Sequence, residues 1–347
     1  MKLFLLMEFS STTWDFAEYI YRYGKNSIQK ISDDGIDVEF RSFQQLARTQ
    51  HRKSAEAYLW FEQYFNDPYY ADTTIMSTFA ANNGWKWSDV PKTTKRDLIM
   101  TTVTSQIMWM IVSAEMADAI SDCKAGDAFK ENDSDANAWD EVAAFSTLLS
   151  DLILLRSTQF VTPNDIQNVN EELNLLLLAG QSQLRRYDCN SLQLTVDMLT
   201  SLLMVPLYQS VLYYADVNQN IDAFDGNGHV EASVAAGEAS ANALIPALQV
   251  VNADTGNIVK ENLIVSRGIK PVSDGPQRVA DALAITLNHY KLSCVNIGLR
   301  NEIDICQKYT PPSTNNPDPD SSTSIHTNNG VLAIILLLSI FSYHKIF

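Results

Sequence analysis

Residues 94–123, TKRDLIMTTVTSQIMWMIVSAEMADAISDC, decide the fold. Leu98, Met100, Val103, Ile107, Met110, Ile111, Ala114, Ala117 and Ile120 recur every three or four positions, which lays them along one stripe of a 3.6-residue helix. Thr94 followed by Asp97 has the form of a capping box with an acid in the usual Glu or Gln place, so a helix start is expected at Thr94. Glu115, Asp118 and Asp122 fall at spacings of three and four on the same stretch. Asp140 and Glu141 follow after a polar loop, in AWDEVAAF at 138–145. No other part of the chain gathers so many hard oxygen donors near an apolar element.

Outward from this segment the pattern stays helical. Gly (13) and Pro (11) are scarce for 347 residues while Leu and Ala are frequent, which favours helices over sheet. Amphipathic stretches run over WDFAEYIYRYG (14–24), AEAYLWFEQYF (55–65) and the segment from Asn168 to a stop near Gly180. Asn190 with Gln193 then marks the start of a second long apolar helix, 192–216, which Pro206 should kink. Residues 107–120 align with 203–216 at an offset of 96, and the segment after the first acidic loop aligns with 237–246, bringing Glu141 opposite Glu238. The expected fold is all-α, with two pseudo-repeated helical halves at 14–160 and 161–309 and little sheet.

The net charge of −16 argues against nucleic acid or anionic lipid as the main partner and suits a binder of cations. Cys123, Cys189, Cys294 and Cys306 form no CxxC pair, so zinc-ribbon and thioredoxin readings are poor. Two disulfides are expected, with all three pairings open. Residues 1–13 carry too short an apolar run for an ordinary signal core and read as a remnant or a truncated start. A Pro, Ser, Asn and Asp stalk at 310–329 leads to a hydrophobic tail at 330–347, read as a GPI signal or a short membrane anchor. Either would hold the body at the extracellular face. Asn132 begins the chain's single glycosylation sequon.

Phosphate-loop, dinucleotide, HExxH and GxSxG motifs are absent, and five scattered histidines offer no zinc site. What remains is carboxylate and phenol chemistry, which matches a hard trivalent cation such as ferric iron. The selected ligands are Tyr70, Asp72, Glu115, Asp140, Glu141, Tyr214 and Glu238, with Tyr213, Asp216 and Glu231 beside them. For Asp140 and Glu141, capping of the following helix is the alternative. A non-catalytic binder is expected. The competing expectations are a helical metallo-enzyme that activates water on the same carboxylates, or a surface protein whose metal site has decayed.

YADTTI (70–75), AISDC (119–123), WDEVAAF (139–145), VNEELNLLLLAGQSQLRRYDC (169–189), VPLYQSVLYYAD (205–216), EASANALIPAL (238–248) and YKLSCVNIG (290–298) occur in an order that resembles the algal iron-assimilating proteins and diatom phytotransferrins. The resemblance covers roughly residues 14 to 300. It implies capture of ferric iron outside the cell with carbonate as synergistic anion, and endocytic or reductase partners downstream.

Overall fold

The computed structural model describes residues 11–24, 28–31, 38–40, 42–48, 56–81, 84–126, 138–162, 169–219, 229–265 and 274–309. The stalk, the tail, Asn132 and the first ten residues lie outside them.

Helices carry nearly all of the described structure. In chain order they are α1 (Ser11–Tyr23), α2 (Phe43–Arg48), α3 (Glu56–Phe65), α4 (Tyr70–Ala80), α5 (Lys92–Thr102), α6 (Trp109–Ala125), α7 (Ala138–Ser157), α8 (Val169–Arg185), α9 (Cys189–Gln219), α10 (His229–Val251), α11 (Ala253–Leu263), α12 (Pro276–Ala284) and the short α13 (Cys294–Ile297). Two minimal antiparallel hairpins complete them: β1 (Ile28–Ile31) with β2 (Val38–Phe40), and β3 (Leu299–Arg300) with β4 (Ile303–Asp304). The all-α expectation holds.

The deciding segment departs from a single stripe in two ways. It begins at Lys92 behind Pro91 rather than at Thr94, whose side chain is buried and makes no cap bond. Proline before the first turn starts the helix without wasting an amide donor. Between α5 and α6 the helix widens into a π-helical segment, Val103–Met108. All eight residues from Ser105 to Val112 are buried, so here the helix is wrapped by neighbours on every side.

The partner that wraps it most closely is α10. Ala232, Ala235, Ala236, Gly237, Ala239, Ala241 and Ala243 give this helix a slender surface, which lets α5, α9 and α11 pack against it closely. Gln106 Nε2 donates to the Ala239 carbonyl at 3.0 Å, tying the π-helical segment to α10. At Gly237 a Cβ would stand 2.9 Å from Asn218 Nδ2 and 3.0 Å from Tyr214 Cβ, so the missing side chain sets the α9–α10 separation.

Three helical spans are long and apolar enough to cross a membrane by length and composition: Lys92–Ala125, Cys189–Gln219 and Val230–Val251. In each, 72–78% of the apolar window is buried inside the protein, so packing of the core accounts for the composition.

The disulfides join Cys123 to Cys189, and Cys294 to Cys306. The first ties the last turn of α6 to the first residue of α9. That start is held by Asp188, whose carboxylate accepts from the Ser191 amide at 3.2 Å, not by Asn190. Gly180 does not stop α8, which runs on to Arg185. Instead it makes room for Trp139, whose ring would lie 1.9 Å from an added Cβ and whose Nε1 donates to the Leu177 carbonyl at 3.1 Å.

Candidate functional site

Of the seven selected ligands, Asp72 and Glu238 are the most deeply placed, and each already has a cation. Asp72, 1% exposed, accepts from Arg48 Nε at 2.6 Å, Tyr21 Oη at 2.9 Å and Gln44 Nε2 at 3.1 Å. It is the point where α1 and α2 close onto α4. Burial, then the adjacent Asp72 charge, raises the Tyr21 pKa far above that of an ordinary phenol, so Tyr21 stays a protonated donor. Glu238, 3% exposed, pairs with Lys86 and accepts from the Val265 amide at 3.1 Å. Burial pushes its carboxyl up, opposed by Lys86 and that amide.

Tyr70 stacks on Phe65 at 4.9 Å and packs against Phe61 at 5.2 Å. Two residues apart on a helix are separated by roughly 200° of rotation, so the Tyr70 ring meets α3 while Asp72 meets α1 and α2. Glu115 is half-buried on α6. Asp140 is exposed and Glu141 half-buried in the first turn of α7, where negative charge complements the helix dipole. Among the described residues, no group of three or more His, Cys, Asp or Glu side chains is placed to hold a metal ion.

Tyr214 alone of the seven lines a large cavity. The cavity has a volume of about 680 Å³ and is walled by α5 and the π-helical segment, α7, α9 and α10. Met100, Val103, Met108, Leu152, Val217 and Ala236 supply apolar wall. Because π-helical turns interrupt a regular ladder, they are frequent at functional sites, and here the widened segment forms one side of the cavity.

Arg156 is the cation of this cavity. It stands in the last turn of α7, where the helix dipole favours positive charge, and is 2% exposed. Its Nε donates to Ser210 Oγ at 2.9 Å and its Nη1 to Gln159 Oε1 at 2.7 Å. The guanidinium carbon lies 4.4 Å from the Tyr213 ring centroid and 5.0 Å from that of Tyr214. Among the described residues no carboxylate is within ion-pair distance of it. Arg300 differs: it also lies over Tyr213, at 4.4 Å, but pairs with Asp216 Oδ2 at 2.8 Å.

The remaining polar groups of the cavity are spent or peripheral. Ser233 Oγ donates to Asn218 Oδ1 at 2.8 Å, and Thr104 Oγ1 bonds back to the Met100 carbonyl at 3.0 Å. Asp97 pairs with Arg96 at 2.8 Å, and Asp151 is exposed. Arg156 was missed in the sequence because it ends an apolar run, LLSDLILLRSTQF. Its signal there is that it is the only basic residue on α7. A buried guanidinium flanked by phenol rings in an apolar chamber can bind and orient an anion. No protein-family model, curated protein or solved structure matches the chain.

Proposed function

We propose that the chain is a non-catalytic binding protein that works outside the cytoplasm, and that its ligand site is the cavity under Arg156. One observation carries this reading: a guanidinium 2% exposed, facing a chamber of about 680 Å³, with no carboxylate beside it among the described residues. A buried cation without a counter-charge is costly, and binding of an anion relieves that cost. Two disulfides suit an oxidising compartment.

The resemblance to algal iron-assimilating proteins supplies a cargo, ferric iron taken up with carbonate. In that reading Arg156 holds the anion, while Tyr214 with neighbouring Tyr213 and Asp151 supplies oxygen donors. Asp72 and Glu238 serve stability instead, since each is held by a cation. Phenol and carboxyl oxygens must lose their protons to bind a trivalent cation, so affinity falls on acidification.

The test is titration of the purified chain with ferric salt, with and without bicarbonate, for the natural protein and Arg156→Gln. Saturable binding is expected that strengthens with bicarbonate and loses that dependence in Arg156→Gln. Absence of a saturable site under both conditions overturns ferric cargo.

A further inference from the structure

We infer that the cavity takes an amphipathic organic monocarboxylate, with its head on Arg156 and its body along the apolar walls. This assignment rests on the cavity being the ligand site, as proposed above, and names a ligand class that carbonate does not represent.

Size is the first ground. Pockets of about 300–1000 Å³ hold drug-sized organic molecules. A carbonate ion would leave most of a chamber of about 680 Å³ unfilled. Wall chemistry is the second. Met100, Val103, Met108, Leu152, Val217 and Ala236 offer only apolar contact, and the Asn218–Ser233 and Thr104 hydrogen bonds are satisfied within the protein. A ligand body with several polar groups would lose hydration there without recovering it.

Charge is the third ground. Arg156 spends Nε and Nη1 on neutral acceptors, Ser210 and Gln159, and its face on neutral rings. Cation–π contact compensates burial only in part. A carboxylate adds the missing charge and matches the guanidinium fork better than any neutral head group. Asp97 and Asp151 also line the cavity, so a second anionic group on the ligand would meet negative charge. That selects a monocarboxylate over a dicarboxylate.

The experiment is calorimetric titration of the full chain, in chelator-treated and bicarbonate-free buffer, with hexanoate, decanoate, decanol and decanedioate. Decanoate is expected to bind more tightly than hexanoate, and about tenfold or more tighter than decanol or decanedioate. Arg156→Gln should bring decanoate to the level of decanol, and Ala236→Phe, which fills the chamber, should abolish binding of all four. The natural protein decides alone if a variant fails to fold: no saturable heat from any acid, or equal affinity for decanoate and decanol, overturns the assignment. Bicarbonate-dependent ferric binding without alkanoate binding would leave the ferric cargo standing and remove this ligand class. Alkanoate binding without ferric binding would do the reverse.

Discussion

Arg156 lies 4.4 Å from the centre of the Tyr213 ring, and Arg300 lies at the same distance from the same ring. Only Arg300 has a carboxylate, that of Asp216, at 2.8 Å. One phenol ring therefore serves two guanidinium groups of which one is neutralised within the protein and the other faces a chamber.

Stacking and forked hydrogen bonding are properties of a planar guanidinium that an ammonium lacks. Arg156→Lys is expected to lower stability by about 1–3 kcal/mol through loss of the Ser210 and Gln159 bonds and the ring contacts. Urea unfolding followed by circular dichroism measures it. An unchanged midpoint would show that the stack contributes nothing.

Asp72 joins three elements through one buried carboxylate. Asp72→Asn should cost about 2–3 kcal/mol, below the usual cost of breaking a buried pair because the Arg48 side chain is 54% exposed. Ferric stoichiometry should stay the same. Loss of ferric binding in a folded Asp72→Asn protein would return Asp72 to the ligand set.

Glu238 makes stability depend on pH in a definite direction. Burial raises its folded-state pKa above the unfolded value, against the pull of Lys86 and the Val265 amide. A group raised in this way contributes stability that is fully present below its unfolded pKa, about 4.3, and lost as pH rises through the folded value. Comparison of the natural protein with Glu238→Gln by urea unfolding, from about pH 4 to about pH 8, should show its relative advantage shrinking with rising pH. An advantage that grows with pH would mean that the Lys86 pairing outweighs burial.

The two disulfides close loops of different length, 66 and 12 residues. Chain-entropy reasoning assigns about 4 kcal/mol to Cys123–Cys189 and about 3 kcal/mol to Cys294–Cys306. Paired Cys→Ala variants of each bridge, unfolded in urea, should therefore differ in that order. The reverse order would point to native-state effects rather than restriction of the unfolded chain.

Helix content was legible because periodicity survives in a single sequence: Leu98, Val103, Ile107, Ile111, Ala114 and Ile120 hold to one period, and α5 and α6 follow it. Two things escaped that reading. Gly180 looks like a stop locally, yet its role is set by the Trp139 ring on another helix, which sequence distance conceals. The π-helical segment leaves no compositional mark, since VTSQIM suits an ordinary helix equally well. The site was less legible for a related reason. Acidic and phenolic residues draw attention as metal donors, but whether a carboxylate is free depends on partners such as Arg48 and Lys86, which lie 24 and 152 positions away along the chain. Arg156 was hidden by the reverse effect, as a lone charge inside an apolar run.

The widened turn at Val103–Met108 also sets the rotational phase of everything after it. Its bonds close five residues apart instead of four, which accommodates one residue more than a regular helix would. Deleting a single position there would restore the regular ladder and turn Trp109 through Ala125 by roughly 100° about their axis. Cys123 would then face away from Cys189, and buried Met116 and Ala119 would exchange environments with Glu115 and Asp118. The covalent tie at the far end of α6 thus acts as a gauge of residue count in the middle of the helix, and a chain one residue short could not close it without distorting its backbone.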